Sequence, residues 1–234
     1  MGEVEKALKE IGSIKNMKKV LDNWSLLDRG CITASRIVKI NDFIETKQNF
    51  WDHNVALVWL IDKLLPKSYL EVGVLTCGST VHALCSASVV RIVGVDRFTS
   101  TYANGQYIAN KDVLEDIVKP NAAKFPEKDV QFRKGFSADE LPKITESFDI
   151  ATVDGDHTEG GAERDLELVL PKVKRAIVMD DIRHQSHMYL RDVALRFAEK
   201  HLLDFTMNEQ HPGTVIFWID KEAKSNCFGA PTSE

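Results

Sequence analysis

Three acidic segments carry the side chains best suited to chemistry in this sequence of 234 residues. Asp154-Gly155-Asp156-His157 closes an apolar run from Phe148 to Val153, Asp180-Asp181 closes another from Ala176 to Met179, and Gly94-Val95 ends in Asp96. Carboxylate oxygens in this number are hard ligands that suit Mg²⁺, which keeps several waters and leaves positions for substrate oxygens. Acids gathered in one place cost stability unless a cation joins them. His157, titrating near neutrality, is a natural proton acceptor beside such a group. Each residue also has a plainer role: Asp156 and Asp181 as turn formers or caps, His157 as a satisfied loop histidine.

A fourth segment, Glu71-Val-Gly73-Val-Leu-Thr-Cys-Gly78-Ser79-Thr80, reads as a strand running through a glycine-containing turn into a helix start. Glycines let the backbone approach a ligand closely, and amides at a helix start suit a carboxylate, although Ser79 or Thr80 as a simple N-cap explains the segment equally well. Asp96 lies 23 positions after Gly73, where a carboxylate at a strand end accepts the hydroxyls of a ribose, as nicotinamide cofactors and S-adenosylmethionine both present. The turn lacks GxGxxG spacing, which disfavours a dinucleotide. Arg183, His184, His187 and Tyr189 follow the Asp-Asp pair as candidate acceptor contacts or as a polar helix start. His184 and His187 lack an evident third nitrogen or sulfur ligand for zinc.

These residues need a scaffold that brings strand ends together. Apolar positions Val4, Ala7, Leu8, Ile11 and Ile14, then Met17, Val20, Leu21 and Trp24, predict amphipathic helix with a break at Gly12-Ser13. Arg29 to Lys47 reads as an irregular connector, and Phe50 to Leu65 as a buried helix ending before Pro66. Strands are expected at Tyr69–Val74, Val89–Val95, Val130–Arg133, Phe148–Val153 and Ala176–Met179, with helices at Thr80–Ser88, Lys111–Phe125, Gly161–Leu170 and Met188–His201 between or after them. Leu203–Met207 and Thr214–Ile219, joined by Asn208–Gly213, predict an antiparallel hairpin. The fold class expected is α/β, a doubly wound, mostly parallel sheet with a C-terminal hairpin and an N-terminal helical extension. Residues 1–49 form that extension, as a lid or oligomer contact, residues 50–221 form the main domain, and 222–234 form a polar, disordered tail.

Composition narrows the function classes. A hydrophobic content of 44%, 28% charged residues and a net charge of −5 describe an ordinary globular chain and disfavour unspecific attraction to nucleic acid. The four cysteines, Cys31, Cys77, Cys85 and Cys227, show no CxxC spacing and are expected as thiols. An acidic N-terminus and the lack of a long apolar run predict a cytoplasmic protein without a membrane partner.

Taken together, Tyr69-Leu-Glu71-Val-Gly73 through Gly78-Ser79-Thr80, Gly94-Val-Asp96, Gly135-Phe-Ser137-Ala-Asp139-Glu-Leu-Pro142, Phe148 through His157 with Arg164-Asp165-Leu166, and Val178-Met-Asp180-Asp181 resemble the class I methyltransferases. The group includes metal-dependent O-methyltransferases that act on sugars of natural products. The resemblance covers residues 68–182 and does not extend to the first 65. It implies a Rossmann-like fold and methyl transfer from S-adenosylmethionine to a hydroxyl of a small molecule, assisted by Mg²⁺ or another divalent cation. Residue by residue, it implies that Gly73 and Gly78 border the methionine part of the cofactor, with Glu71 and Thr80 in the same motif and Ser79 at the carboxylate. It further places Asp96 at the ribose, Phe136 and Ser137 near adenine, Asp154, Asp180 and Asp181 on the metal, and His157 as base. Cys77 replaces a second glycine of the family pattern, and Thr158 replaces an aromatic. An NAD-dependent oxidoreductase and a non-catalytic S-adenosylmethionine-binding protein are the competing expectations, and self-association is left open.

Overall fold

The computed structural model describes residues 3–28, 31–99 and 112–228. Seven strands form one sheet in the order β3-β2-β1-β4-β5-β7-β6. These are β1 (Ser68–Val72), β2 (Arg91–Asp96), β3 (Asp129–Lys134), β4 (Phe148–Val153), β5 (Val173–Met179), β6 (Asp204–Asn208) and β7 (Thr214–Trp218). The first five run parallel, and β7 pairs antiparallel with both β5 and β6, completing the expected hairpin. The fold is thus the expected Rossmann-like one. The strand order reverses between β1 and β4, whose ends are in register at Val72 and Val153, and this is where such sheets bind ligands.

Side-chain alternation along the central strands divides the core into two layers. Tyr69, Ile92, Ile150, Val178, Ile216 and Trp218 face one layer, and Leu70, Val93, Ala151, Ile177, Val215 and Phe217 face the other. Against the second pack α8 (Glu159–Val169) and α9 (Leu190–Lys200). The first layer is covered by α1 (Glu3–Ile11), α2 (Ile14–Trp24), α4 (His53–Leu64) and α5 (Thr80–Leu84). The predicted break appears at Gly12-Ser13, where the Ser13 hydroxyl accepts from the Asn16 amide and starts α2. Helix α4 begins under Asp52, whose carboxylate accepts from the Val55 amide at 3.0 Å, and ends at Leu65 in left-handed backbone just before Pro66.

Two expectations are corrected. The segment 29–47 is not a connector throughout, because Ala34–Glu45 forms a helix, α3, whose buried anchor is Ile40. Its apolar stripe is hard to see because Ile37 and Val38 face solvent. The tail is ordered through Lys221–Phe228 as a helix, α10, which buries Ala223 and Cys227 and sets the Phe228 ring 5.6 Å from Trp59. Residues 229–234 of the predicted tail lie outside the described residues. The predicted helix at Lys111–Phe125, from Asp112 onward, opens with wide π-type turns at Val113–Val118 and continues as α6 (Lys119–Ala122). All four cysteines are free thiols. Among the described residues no helix is long and apolar enough to cross a membrane.

Candidate active site

A cavity of about 610 Å³ lies along the C-terminal ends of β1, β2 and β4 and reaches the loop after β5. Gly73 makes this geometry feasible. Its φ is +92°, and a β-carbon there would stand 1.9 Å from the Asp154 carbonyl oxygen. The loops after β1 and β4 touch, tied further by the Asp154 amide donating to Val72 at 2.8 Å. Cys77 takes the place of a glycine with φ of 69°, so the turn keeps a glycine-like backbone while the thiol is buried beside Val118.

Among the cofactor candidates, Gly73, Asp96, Phe136, Ser137 and Asp154 line the cavity. One Asp96 oxygen accepts from the Leu75 amide at 2.9 Å and the other from the Phe98 amide at 2.5 Å. Each oxygen keeps a second lone pair, so the carboxylate is oriented without being exhausted. Phe136 is 59% exposed, with the Arg97 guanidinium 4.8 Å from its ring centre. Ser137 donates to Asp165 at 2.5 Å, which fixes the chain on leaving β3.

Glu71, Gly78, Ser79 and Thr80 stand outside that wall. Glu71 is fully buried, and the Ser79 and Thr80 hydroxyls both donate to its carboxylate. Burial pushes Glu71 up to about 7 against the downward pull of those two hydroxyls. The Ser79 hydroxyl is spent inward, and α5 has only five residues, too few to build a sizeable dipole. Gly78 faces Ile32, and its carbonyl accepts from the Trp24 indole at 2.8 Å.

At the ends of β4 and β5, Asp154, His157 and Asp181 each present a ligating atom, all within 4.8 Å of one another. The His157 Nε2 lies 2.9 Å from Asp154 Oδ1 and 3.8 Å from Asp181 Oδ2. Burial works against a charged His157 ring, but Asp154, Asp181 and Asp180 override it and hold the imidazolium up to about 9. Asp181 is pushed up to about 7 by burial and by the Asp180 and Asp154 charges. Its backbone is left-handed, φ 62°, with the turn closed by the His184 amide donating to its carbonyl at 3.0 Å. Asp156 serves its own turn, accepting from the Thr158 amide at 2.9 Å. Thr158 caps α8 by accepting from the Gly161 amide at 3.1 Å.

Asp180 points the other way. Thr214 donates to one of its oxygens at 2.8 Å, and the other is in ion-pair contact with His53. Burial would raise Asp180, but the His53 charge prevails and holds it below the usual carboxylate range. The same carboxylate keeps His53 protonated against its own burial. Asp180 is not on the cavity wall, but with His53 and Asp154 it forms a second group whose ligating atoms all lie within 4.8 Å of one another. His53 itself went unnoticed in the sequence, although a histidine and Asn54 opening an apolar helix signal buried polar groups that need partners.

Of the residues after the pair, His187 and Tyr189 line the cavity, while Arg183 and His184 do not. Tyr189 donates to the His157 carbonyl at 2.6 Å, and the His187 ring centre lies 5.0 Å from that of His157. His184 stacks on His187 at 5.2 Å, and neither belongs to a three-ligand group among the described residues.

A doubly wound sheet with a 3-2-1-4-5-7-6 strand order, and with a cavity running from a strand-end acid to a carboxylate and imidazole group, defines the class I methyltransferase fold. Residues 70–182 match the family model of a methyltransferase domain. Solved structures with the same fold include an O-methyltransferase from Bacillus cereus in complex with SAH, 16% identical with a TM-score of 0.55, covering 88% of this chain and 91% of that one. The cofactor-bound Rv0187 from MTB is 16% identical with a TM-score of 0.52, over 88% of this chain and 89% of that one. TomG from Streptomyces achromogenes, an O-methyltransferase of tomaymycin synthesis solved with SAM, is 16% identical with a TM-score of 0.50, over 69% and 77%. A sequence search finds no curated protein that matches.

Proposed function

We propose that the chain is an S-adenosylmethionine-dependent methyltransferase, that it acts on a hydroxyl of a small molecule, such as a sugar or a natural-product intermediate, and that a divalent cation such as Mg²⁺ assists. The observation that carries the proposal is the meeting of Asp154, His157 and Asp181 on the wall of the cavity that also holds Asp96. Two carboxylates facing a cavity, one of them raised by its neighbours, form a donor set short of positive charge, and this fits a hard cation that retains waters. Asp154 and Asp181 would hold it, with Asp180 fixed behind them by His53 and Thr214. Such an ion lowers the pKa of a hydroxyl bound to it.

Methyl transfer is an in-line displacement, so the protein must hold the acceptor oxygen, methyl and sulfur in line and take up one proton. Asp96 is oriented for the ribose hydroxyls, Phe136 offers a face to the adenine, and the close contact at Gly73 shapes the wall beside the methionine portion. His157 is the proton acceptor. Asp154, Asp181 and Asp180 hold its proton at neutral pH, and a cation held among those carboxylates would weaken that hold. Tyr189 holds the loop that carries His157.

The test is methyl transfer from labelled S-adenosylmethionine to a panel of sugars, diols and phenols, with and without EDTA. Chelator-sensitive transfer, lost in Asp181→Ala and restored by added Mg²⁺ or Mn²⁺ in the wild type, supports the proposal. Turnover indifferent to EDTA and to Asp181→Ala would remove the metal. Cofactor binding without transfer to any acceptor would favour a non-catalytic binder.

A further inference from the structure

The methionine carboxylate of the cofactor needs a positive partner, and the cavity wall is rich in the opposite charge. Asp96, Asp139, Asp154, Asp156 and Asp181 all line it. A ligand carboxylate is repelled along most of that wall unless it finds an uncommitted cation. Ser79, placed at this carboxylate by the family resemblance, has its hydroxyl on Glu71.

Three arginines line the cavity. Arg164 lies 3.3 Å from Asp156, and Arg97 sits over the Phe136 ring. Arg36 is different. It projects from α3, and its Nη1 lies 4.0 Å from the position a β-carbon on Gly78 would occupy, beside the turn after β1. Among the described residues its guanidinium makes no hydrogen bond and no ion pair, while its two donor edges are free to grip a carboxylate. We propose that Arg36 pairs with the methionine carboxylate of S-adenosylmethionine, which makes a helix outside the matched domain part of the cofactor site. The proposal rests on the assignment of this cavity to S-adenosylmethionine.

Removal of one charge-assisted contact should weaken binding about 10- to 100-fold. The experiment uses the full chain without acceptor and measures calorimetric affinity for S-adenosylmethionine and for its decarboxylated form, which lacks only the carboxylate. Wild type should prefer the intact cofactor. In Arg36→Ala that preference should collapse, with the decarboxylated ligand held within about twofold of its wild-type affinity, and Arg36→Lys should recover part of it. Circular dichroism of both variants reports whether this exposed position leaves the fold intact. An undiminished preference in Arg36→Ala, or an equal loss for both ligands, overturns the role of Arg36. Failure of the wild type to bind either ligand overturns the cavity assignment itself.

Discussion

Gly73→Ala attacks the contact on which the cavity depends. The added β-carbon would lie 1.9 Å from the Asp154 carbonyl oxygen and 2.5 Å from its carbon, both backbone atoms that cannot swing aside. Relief requires the ends of β1 and β4 to separate at the point where Asp154 enters the cavity. The left-handed backbone alone costs a residue with a β-carbon about 1–2 kcal/mol, and overpacking adds about 1–3, for a total of roughly 2–5 kcal/mol. For a chain of this size, that corresponds to a Tm lowered by roughly 4–20 °C. Affinity for S-adenosylhomocysteine should fall as well, because the displaced loop carries Asp154 and His157. Gly160→Ala is the matched control. A β-carbon there meets nothing within 4 Å, and the residue lies in α8, so the substitution should gain about 0.5–1 kcal/mol. Differential scanning calorimetry of both variants, with isothermal titration of S-adenosylhomocysteine, measures the pair. A Gly73→Ala protein as stable as Gly160→Ala, with unaltered ligand affinity, refutes the close-contact argument.

Two further perturbations test what lies beneath the cavity. His53→Ala leaves the Asp180 carboxylate buried beside Thr214 without its counter-charge and should cost about 3–5 kcal/mol in urea unfolding. Adding Asp180→Asn to that variant should return part of the loss, and simple additivity of the two substitutions would show that the pair is not coupled. Glu71 is pushed by burial from an ordinary 4.5 up to about 7, so over that window the folded chain holds a proton that the unfolded chain has released. Its contribution to stability is therefore present below pH 4.5 and is lost as pH rises through about 7. Subtracting the stability–pH curve of Glu71→Gln from that of the wild type isolates this slope, and a flat difference across the window would contradict it.

The elements easiest to see in the sequence are those with simple burial. Strands β1, β2 and β4 are covered on both faces, so Tyr69 to Val72, Ile92 to Val95 and Ile150 to Val153 read as mostly apolar runs, interrupted by Glu71, Gly94 and Thr152. The acids that follow them were visible for the same reason, since a charge ending such a run marks the strand end. What stayed hidden depends on tertiary pairing. Ser79 and Thr80 look like a ligand-binding helix start until the fold turns both hydroxyls toward Glu71, eight and nine residues earlier. Asp180 and Asp181 look equivalent as neighbours, and only the approach of His53 from α4 and Thr214 from β7 separates them. Helix α3 was lost because Ile40 is its one fully buried side chain, too little to set a stripe.

The division between Asp180 and Asp181 connects the N-terminal helices to the chemistry. An isolated carboxylate as buried as Asp180 would be expelled or neutralised, and either outcome would remake the loop after β5. His53 prevents both by bringing a charge from α4, which lies outside the matched residues 70–182. With Asp180 anchored inward, the left-handed turn at the next residue is forced to carry Asp181 to the cavity side, next to Asp154 and His157. The inward acid, grouped with His53 and Asp154, thus fixes where the outward one stands. A buried ion pair adds little net stability compared with an apolar replacement, so positioning is the stronger physical reason for it here.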